Sequence, residues 1–384
     1  MRPRVLALGA LLLTAGVVVA LVTISVHGHG AARRSHALAH RRVVKRRRKP
    51  VRITFTVEAS GDLLIHSPVW EEALTLGGGH GYDFEPMFTH IEPFIRHADL
   101  ALCHVETPMT PAPPTGYPIF NTPPALAVSI HKIGFRACST AATHTLDQGE
   151  TGVVDTIAAL DHAHVLHTGS FASAGAQSRP LIILVKGVRV AFLAYTELTN
   201  GIPSPHPWSV NRASAPQILS DARRARRAGA KVVIVNIHWG DENVTEPSPF
   251  QLHLADVLTR SPDITALVGQ HVHVVQPIRL INGKLVVFGE GNLISNQTSA
   301  CCPTASQDGL IALLTIVVDA RGARVTFVHY VPIWVRHPDF EILPAGLAGR
   351  YDPADASALR ASYERTVAAA GRGPRIQPVP ARLP

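Results

Sequence analysis

The chain has 384 residues, 46% hydrophobic and 17% charged, with 30 prolines and 29 glycines. That is the composition of a globular protein with many turns, and it excludes disorder of the whole chain. The formal net charge of +8 is local: residues 1–52 hold 12 of the 36 Lys and Arg and none of the 28 Asp and Glu. The remainder is mildly acidic, which argues against a basic surface that tracks nucleic acid.

At the N-terminus, Arg2 and Arg4 precede an uncharged apolar run from Val5 to Val26. A bilayer needs about 20 such residues, whereas the apolar part of a cleavable signal is about 7–15. Residues 1–28 therefore read as a signal anchor, with a long cleaved signal peptide as the alternative. The expected location is membrane-anchored and exterior-facing, or secreted after cleavage. Residues 29–51, which include Lys45-Arg46-Arg47-Arg48-Lys49, read as a basic disordered tether; attraction to anionic lipid or an anionic polymer is a second reading. More positive charge follows the span than precedes it, which runs against export of the C-terminal part.

In chain order, Ile53–Ala59 alternates as a strand and runs into Ser60-Gly61-Asp62. A helix broken near Pro93 is expected over 84–97, and a strand over Leu100–Val105 that ends at Glu106. The stretch Thr107–Pro124 has seven prolines and a glycine, a long loop of the kind that often carries function. Ala125–Ile133 reads as a helix, Phe135–Ala141 as a strand and Gly149–His162 as a helix. Leu181–Val185 and Val188–Tyr195 flank the turn Lys186-Gly187 as a hairpin. A second Pro- and Asn-rich loop covers 199–211, and a basic, exposed helix is expected at Ala215–Ala228. Lys231–Ile237 is a buried strand delivering His238, and Phe250–Arg260 a helix with Leu252, Ala255 and Leu258 inward. Asn282-Gly283 joins Arg279–Ile281 to Lys284–Phe288 in a second hairpin. Strands over Leu310–Asp319 and Arg324–Val331 precede a C-terminal tail at 336–384. Strand–helix alternation followed by hairpins indicates an α/β layered sandwich rather than a doubly wound sheet.

Gln270-His271-Val272-His273-Val274 follows the apolar run Ile264–Val268 and Gly269. On an extended backbone alternate side chains share a face, so His271 and His273 can converge on one point. Asp62, Glu106, His144 and His238 each follow a strand-like run of their own. Singly, each has a plain structural explanation: Asp62 as a cap, Glu106 as a buried ion-pair partner, His238 as a core histidine, Asp147 as a supporting or capping carboxylate. Together, oxygen and imidazole donors at several strand ends point to a divalent-metal site. Cys103 and Cys138 precede Glu106 and His144 on separate strands, as a bridge or as buried thiols; Cys301-Cys302 lie in a loop. No Gly-x-Ser-x-Gly elbow, Walker loop or dinucleotide fingerprint is present, which disfavours serine-hydrolase and nucleotide-binding functions.

Six motifs occur in order: Gly61-Asp62-Leu63-Leu64, His104-Val105-Glu106-Thr107-Pro108, Thr143-His144-Thr145-Leu146-Asp147, His238-Trp239-Gly240-Asp241-Glu242, His271-Val272-His273, and Gly289-Glu290-Gly291-Asn292. This set resembles the CapA family of capsule and poly-γ-glutamate synthesis proteins, whose domain is similar to the calcineurin-like metallophosphatases. The resemblance covers about residues 52–335 and implies a four-layer α/β/β/α metallophosphatase-like sandwich. It implies two divalent ions, of Mn, Fe or Zn, with Asp62 and His273 on one, His238 and His271 on the other and Glu106 between them. His144 would stand outside the ligands as the catalytic acid. The implied activity is metal-assisted hydrolysis or transfer at an amide or phosphoester bond of an anionic cell-envelope polymer or its precursor, within reach of a polymer synthase complex. Thr143 departs from the family's asparagine, a second-metal ligand, and His104 from the asparagine of the more common Asn-Leu-Glu. His66 offers a possible extra imidazole after Asp62. If Thr143 leaves the site degenerate, the resemblance implies instead a non-catalytic polymer-binding or scaffold module.

Overall fold

The computed structural model describes residues 52–380; the expected anchor at 1–28 and the tether at 29–51 lie outside them. Among the described residues, no helix is long and apolar enough to cross a membrane.

Four parallel strands open the fold: β1 (Ile53–Leu63), β2 (Leu100–Val105), β3 (Ala137–Ser139) and β4 (Leu166–Thr168). The next six, β5 (Leu181–Val185), β6 (Val188–Thr196), β7 (Val232–His238), β8 (Ala266–Gln270), β9 (Ile278–Ile281) and β10 (Lys284–Val287), form a second sheet in the order β5-β6-β7-β8-β10-β9. The chain then returns to the first sheet with β11 (Asn292–Ile294), β12 (Asp308–Asp319), β13 (Gly322–Val335), β14 (Ile342–Pro344) and β15 (Ile376–Pro378). The helices are α1 (Ser67–Leu76), α2 (Glu85–Phe88), α3 (Glu92–Arg96), α4 (Ala125–Ile133), α5 (Gly149–His162), α6 (Ala174–Gln177), α7 (Ala215–Arg227), α8 (Pro249–Arg260) and α9 (Ala356–Ala370).

Strand alternation separates the layers. Phe55, Val57, Leu100 and Leu102 of the first sheet pack against Val190, Phe192, Ile234 and Val268 of the second. The opposite face of β2, with Ala101, Cys103 and Val105, meets α1–α5. The opposite face of β6 and β7 meets α7 and α8 through Ile218, Ala222, Leu254 and Leu258. This is an α/β/β/α sandwich in which β7 is buried at every residue, as a strand covered on both faces must be. Truncating an inter-sheet side chain such as Ile234 to Ala is expected to cost about 2–5 kcal/mol.

Several expectations are corrected. The helix expected over 84–97 does break near Pro93, but into two short helices, α2 and α3, each opened by a Glu-Pro pair that presets the first turn. Leu252 is not inward but 39% exposed, and Leu254 takes the core position in α8. The basic helix α7 buries Ile218, Ala222 and Ala225 instead of standing free. The C-terminal tail is built into the first sheet: β14 and β15 pair with β13. Arg365 of α9 holds the buried Asp308 through two bonds of 2.7 and 2.8 Å. Cys103 and Cys138, partners in register on β2 and β3, are bridged.

Candidate metal centre

The centre lies where strand ends of the two sheets meet. Gly61 lets the close of β1 lie against the turn before β11: a Cβ there would stand 1.8 Å from the Gly291 carbonyl oxygen. The register of β1 against β2 shifts between Ala59 and Asp62, a bulge-like irregularity that re-aims the side chain after it. Asp62 is fully buried, and its backbone N–H donates to the Gly291 carbonyl at 3.1 Å. Glu106 follows β2 by one residue and is 1% exposed.

The imidazoles come from the second sheet. His238 closes β7, beside Trp239, whose indole N–H donates to the Phe288 carbonyl at 2.9 Å; Trp239 is packing. His271 and His273 follow β8, but not on extended backbone. Their φ values are 92° and 57°, left-handed conformations that are strained for side chains with a Cβ. The convergence expected from strand alternation is thus produced by a turn. Asp62 holds that turn, since its carboxylate oxygens lie 3.2 and 3.4 Å from the His271 backbone N–H that donates to them.

The donor atoms gather closely. Asp62, Glu106 and His273 form one group with ligand atoms within 4.8 Å of one another, and Glu106, His238 and His271 another. His238 Nε2 is 3.6 Å from Glu106 Oε1, and His273 Nε2 is 4.0 Å from the same oxygen. Both Glu106 oxygens are buried without a hydrogen-bond partner. A buried acceptor left unmatched costs about 1–3 kcal/mol, more if charged, so this carboxylate fits a cation. The His273 ring is oriented from behind by Asn292, whose Oδ1 is 3.0 Å from Nδ1, the usual arrangement for an imidazole ligand.

Electrostatics agree with that fit. Burial, then the Asp62 charge, push Glu106 well above the usual carboxylate range. Burial, reinforced by neighbouring imidazoles, drives His238 far down and His271 to about 3. His273 goes the other way: burial opposes its charge, but Glu106 and Asp62 prevail and hold it at about 9. Its proton supplies positive charge between the two carboxylates, and metal uptake would displace it.

His144 stands outside these groups on a short 3₁₀ turn, Thr143–Leu146. Its Nδ1 meets Asp147 Oδ2 at 2.7 Å, and Asp147 also accepts from the Phe120 N–H (2.8 Å) and the Asn200 amide (2.9 Å). The neighbouring Thr143 hydroxyl lies 2.9 Å from His238 Nε2 and 3.3 Å from His271 Nδ1. It stands against the two imidazoles of the second group. His66 does not join a group: its Nδ1 accepts from the Asn296 N–H at 3.2 Å, and burial, then the His273 charge, hold its pKa near 4.

Four contributors escaped sequence reasoning. His104 Nε2 lies 2.9 Å from His238 Nδ1 and 3.5 Å from Asp62 Oδ1; burial holds it near 4, so the contact with Asp62 is not an ion pair. Glu242, exposed, joins His271 and His273 in a further group. Asn200 and Asn292 fasten the Asp147 and His273 supports. His104 and Asn292 lay inside recognised motifs without a role, and Asn200 lay in the Pro- and Asn-rich loop.

The description "Bacterial capsule synthesis protein PGA_cap" matches residues 56–297. The capsule biosynthesis protein CapA of Bacillus anthracis is 26% identical over 254 residues, covering 63% of this chain and 60% of the relative. The PGA biosynthesis protein CapA of Bacillus subtilis strain 168 is 25% identical over 220 residues, covering 56% and 57%. The chain therefore spans about three fifths of the length of these curated relatives. Among solved structures, the calcineurin-like phosphoesterase YfkN from Bacillus subtilis aligns with TM-score 0.44 and 12% identity, over 83% of this chain and 99% of that one. The matched residues 56–297 exceed half of the chain and contain all the clustered donors together with His144. This chain belongs to the bacterial capsule synthesis protein family.

Proposed function

We propose that the chain acts in capsule or poly-γ-glutamate synthesis or export as a metal-dependent hydrolase or transferase on an anionic cell-envelope polymer or its precursor. The observation that carries the reading is Glu106: a buried carboxylate with two unpartnered oxygens, between Asp62 and three histidines. Asp62, Glu106 and His273 would hold one divalent ion, and Glu106, His238 and His271 a second, with Mn, Fe or Zn each suited to the donor set. When bound, such ions supply Lewis acidity and neutralise developing negative charge.

The chain's own residues supply the rest. Asp147 fixes His144 through Nδ1, leaving Nε2 to hold or deliver a proton to a leaving group. Asn200 and Phe120 lock Asp147 in place, so the proton-bearing ring is oriented before substrate arrives. The site would work outside the membrane, carried by the N-terminal segment as an anchor or released after cleavage, near a polymer synthase.

The test uses the full chain supplied with divalent metal, an aryl phosphoester and poly-γ-glutamate as separate substrates. Turnover of one of them, lost in Glu106→Gln and reduced about 10²–10⁴-fold in His144→Asn, is the expected result. No turnover of either by the wild type contradicts the hydrolytic reading. One observation favours a scaffold instead: a hydroxyl at Thr143 is a poorer neutral ligand than an amide. On that reading Thr143→Asn creates or raises metal uptake; on the hydrolytic one the wild type already binds.

A further inference from the structure

Both ring nitrogens of His238 have polar neighbours within the centre, as do those of His273, but of these two only His238 meets another imidazole of the described residues within hydrogen-bond reach. Nε2 looks toward Glu106 and the Thr143 hydroxyl, at 3.6 and 2.9 Å, and Nδ1 lies 2.9 Å from His104 Nε2. All of this is shielded from water, since His104 and His238 are 0% exposed. A neutral imidazole carries one ring proton, so only one nitrogen can offer a lone pair. If the proton sits on Nε2, His238 points a donor at the place where a cation would bind. If it sits on Nδ1, Nε2 is free to ligate.

We propose that His104 is a positioning residue that selects the second state: its Nε2 accepts the Nδ1 proton of His238 and turns the His238 Nε2 lone pair toward Glu106 and His271. This rests on the metal-centre reading above and adds a residue to it. His104 must then carry its own proton on Nδ1. The Asn236 side-chain amide lies beside that nitrogen, placed with its Nδ2 at 3.5 Å. The two ends of an amide are told apart by hydrogen bonding alone, and the proposal requires the exchanged placement, with the oxygen toward the ring to accept that proton. The relay Asn236–His104–His238 crosses between the sheets, from β7 to β2 and back. An imidazole thus does here what a carboxylate or carbonyl does behind most histidine ligands, without adding charge beside Asp62. His104 also forms a group with Asp62 and His238 whose ligand atoms lie within 4.8 Å of one another; on the proposal its Nε2 is used on His238 and does not ligate.

The test is ring-nitrogen NMR on the full chain, ¹⁵N-labelled at histidine and loaded with Zn, beside zinc titrations of wild type, His104→Phe and His104→Asn. Expected are a wild-type His238 protonated on Nδ1, a zinc dissociation constant about 10–100-fold weaker in His104→Phe, and recovery to within about threefold in His104→Asn. The last variant keeps an acceptor oxygen. A His104 nitrogen showing direct zinc coordination, or a wild-type His238 protonated on Nε2, overturns the proposal even if no variant folds. Wild-type loading matched by His104→Phe overturns it alone and leaves the metal centre standing. A wild type that takes up no zinc removes the metal centre and this inference together.

Discussion

The two sheets contribute opposite chemistry by different backbone means. The first supplies the carboxylates Asp62 and Glu106 from the ends of adjacent parallel strands, with β2 and β3 stapled by Cys103–Cys138. The second supplies His238, His271 and His273, the last two from a left-handed turn that the Asp62 carboxylate holds by its backbone. The acid side is therefore the template for the base side. Neither of the two donor groups that contain Glu106 is complete within one sheet, so their geometry reports on how the sheets meet.

Removing the shared acid should break the comparison most severely. Glu106→Gln keeps the side-chain shape but removes the charge facing both groups, and should weaken metal binding by about 10³-fold, or about 4 kcal/mol. The metal-free fold should change little in stability, because relief of a buried carboxylate without hydrogen bonds offsets the loss of its attraction to His273. Calorimetric titration and urea melts read the two effects separately. Next in size, the double substitution Cys103→Ser and Cys138→Ser removes a cross-link closing 35 residues of sequence. It should lower stability in urea by about 3 kcal/mol; an unchanged midpoint would show that the first sheet needs no staple.

The dependence on pH sharpens the contrast. Burial raises Glu290 to about 8, and the carboxylates hold His273 at about 9 against the opposing effect of burial. Both folded values lie above the ordinary ones, 4.5 and 6.5. Each group's contribution is complete below its ordinary value and is lost as pH rises through its folded one. The metal-free chain should therefore melt at progressively lower temperature from about pH 4.5, where Glu290 begins to lose its contribution, to about 9, where that of His273 is gone. The metal-loaded chain should show a flatter profile, because His273 is then already deprotonated. Thermal melts across that range, with and without chelator, check both statements.

The smallest effect concerns strain. His271→Gly removes a ligand but relieves a left-handed residue, and should stabilise the metal-free fold by about 1 kcal/mol while weakening metal binding. A loss of stability instead would mean that the imidazole's packing outweighs the backbone relief.

Much of this was legible in the chain. Leu100–Val105, Ala125–Ile133 and Gly149–His162 occupy the bounds that their apolar runs and flanking Pro or Gly imply. The donor residues stood out because each ends a buried run. What stayed hidden depends on tertiary context. Helix α1 begins at Ser67-Pro68 but buries only Val69 and Ala73, too narrow a stripe to announce itself. The histidine turn looked like strand because alternation predicts convergence and the φ values that produce it leave no trace in composition. Leu252 and Leu254 are equally apolar, and only the placement of α8 on the second sheet decides which is inward. His104 and Asn200 act through partners 134 and 53 residues away in sequence, a separation that no local pattern reports.

The central claim is that carboxylates from one sheet and imidazoles from the other make a metal centre. Metal content of the full chain, by elemental analysis after purification with Mn, Fe and Zn supplied in turn, tests it most directly. The account predicts about two equivalents per chain for at least one of these metals, falling sharply in Glu106→Gln. No bound metal in the wild type under any of the three conditions would contradict it.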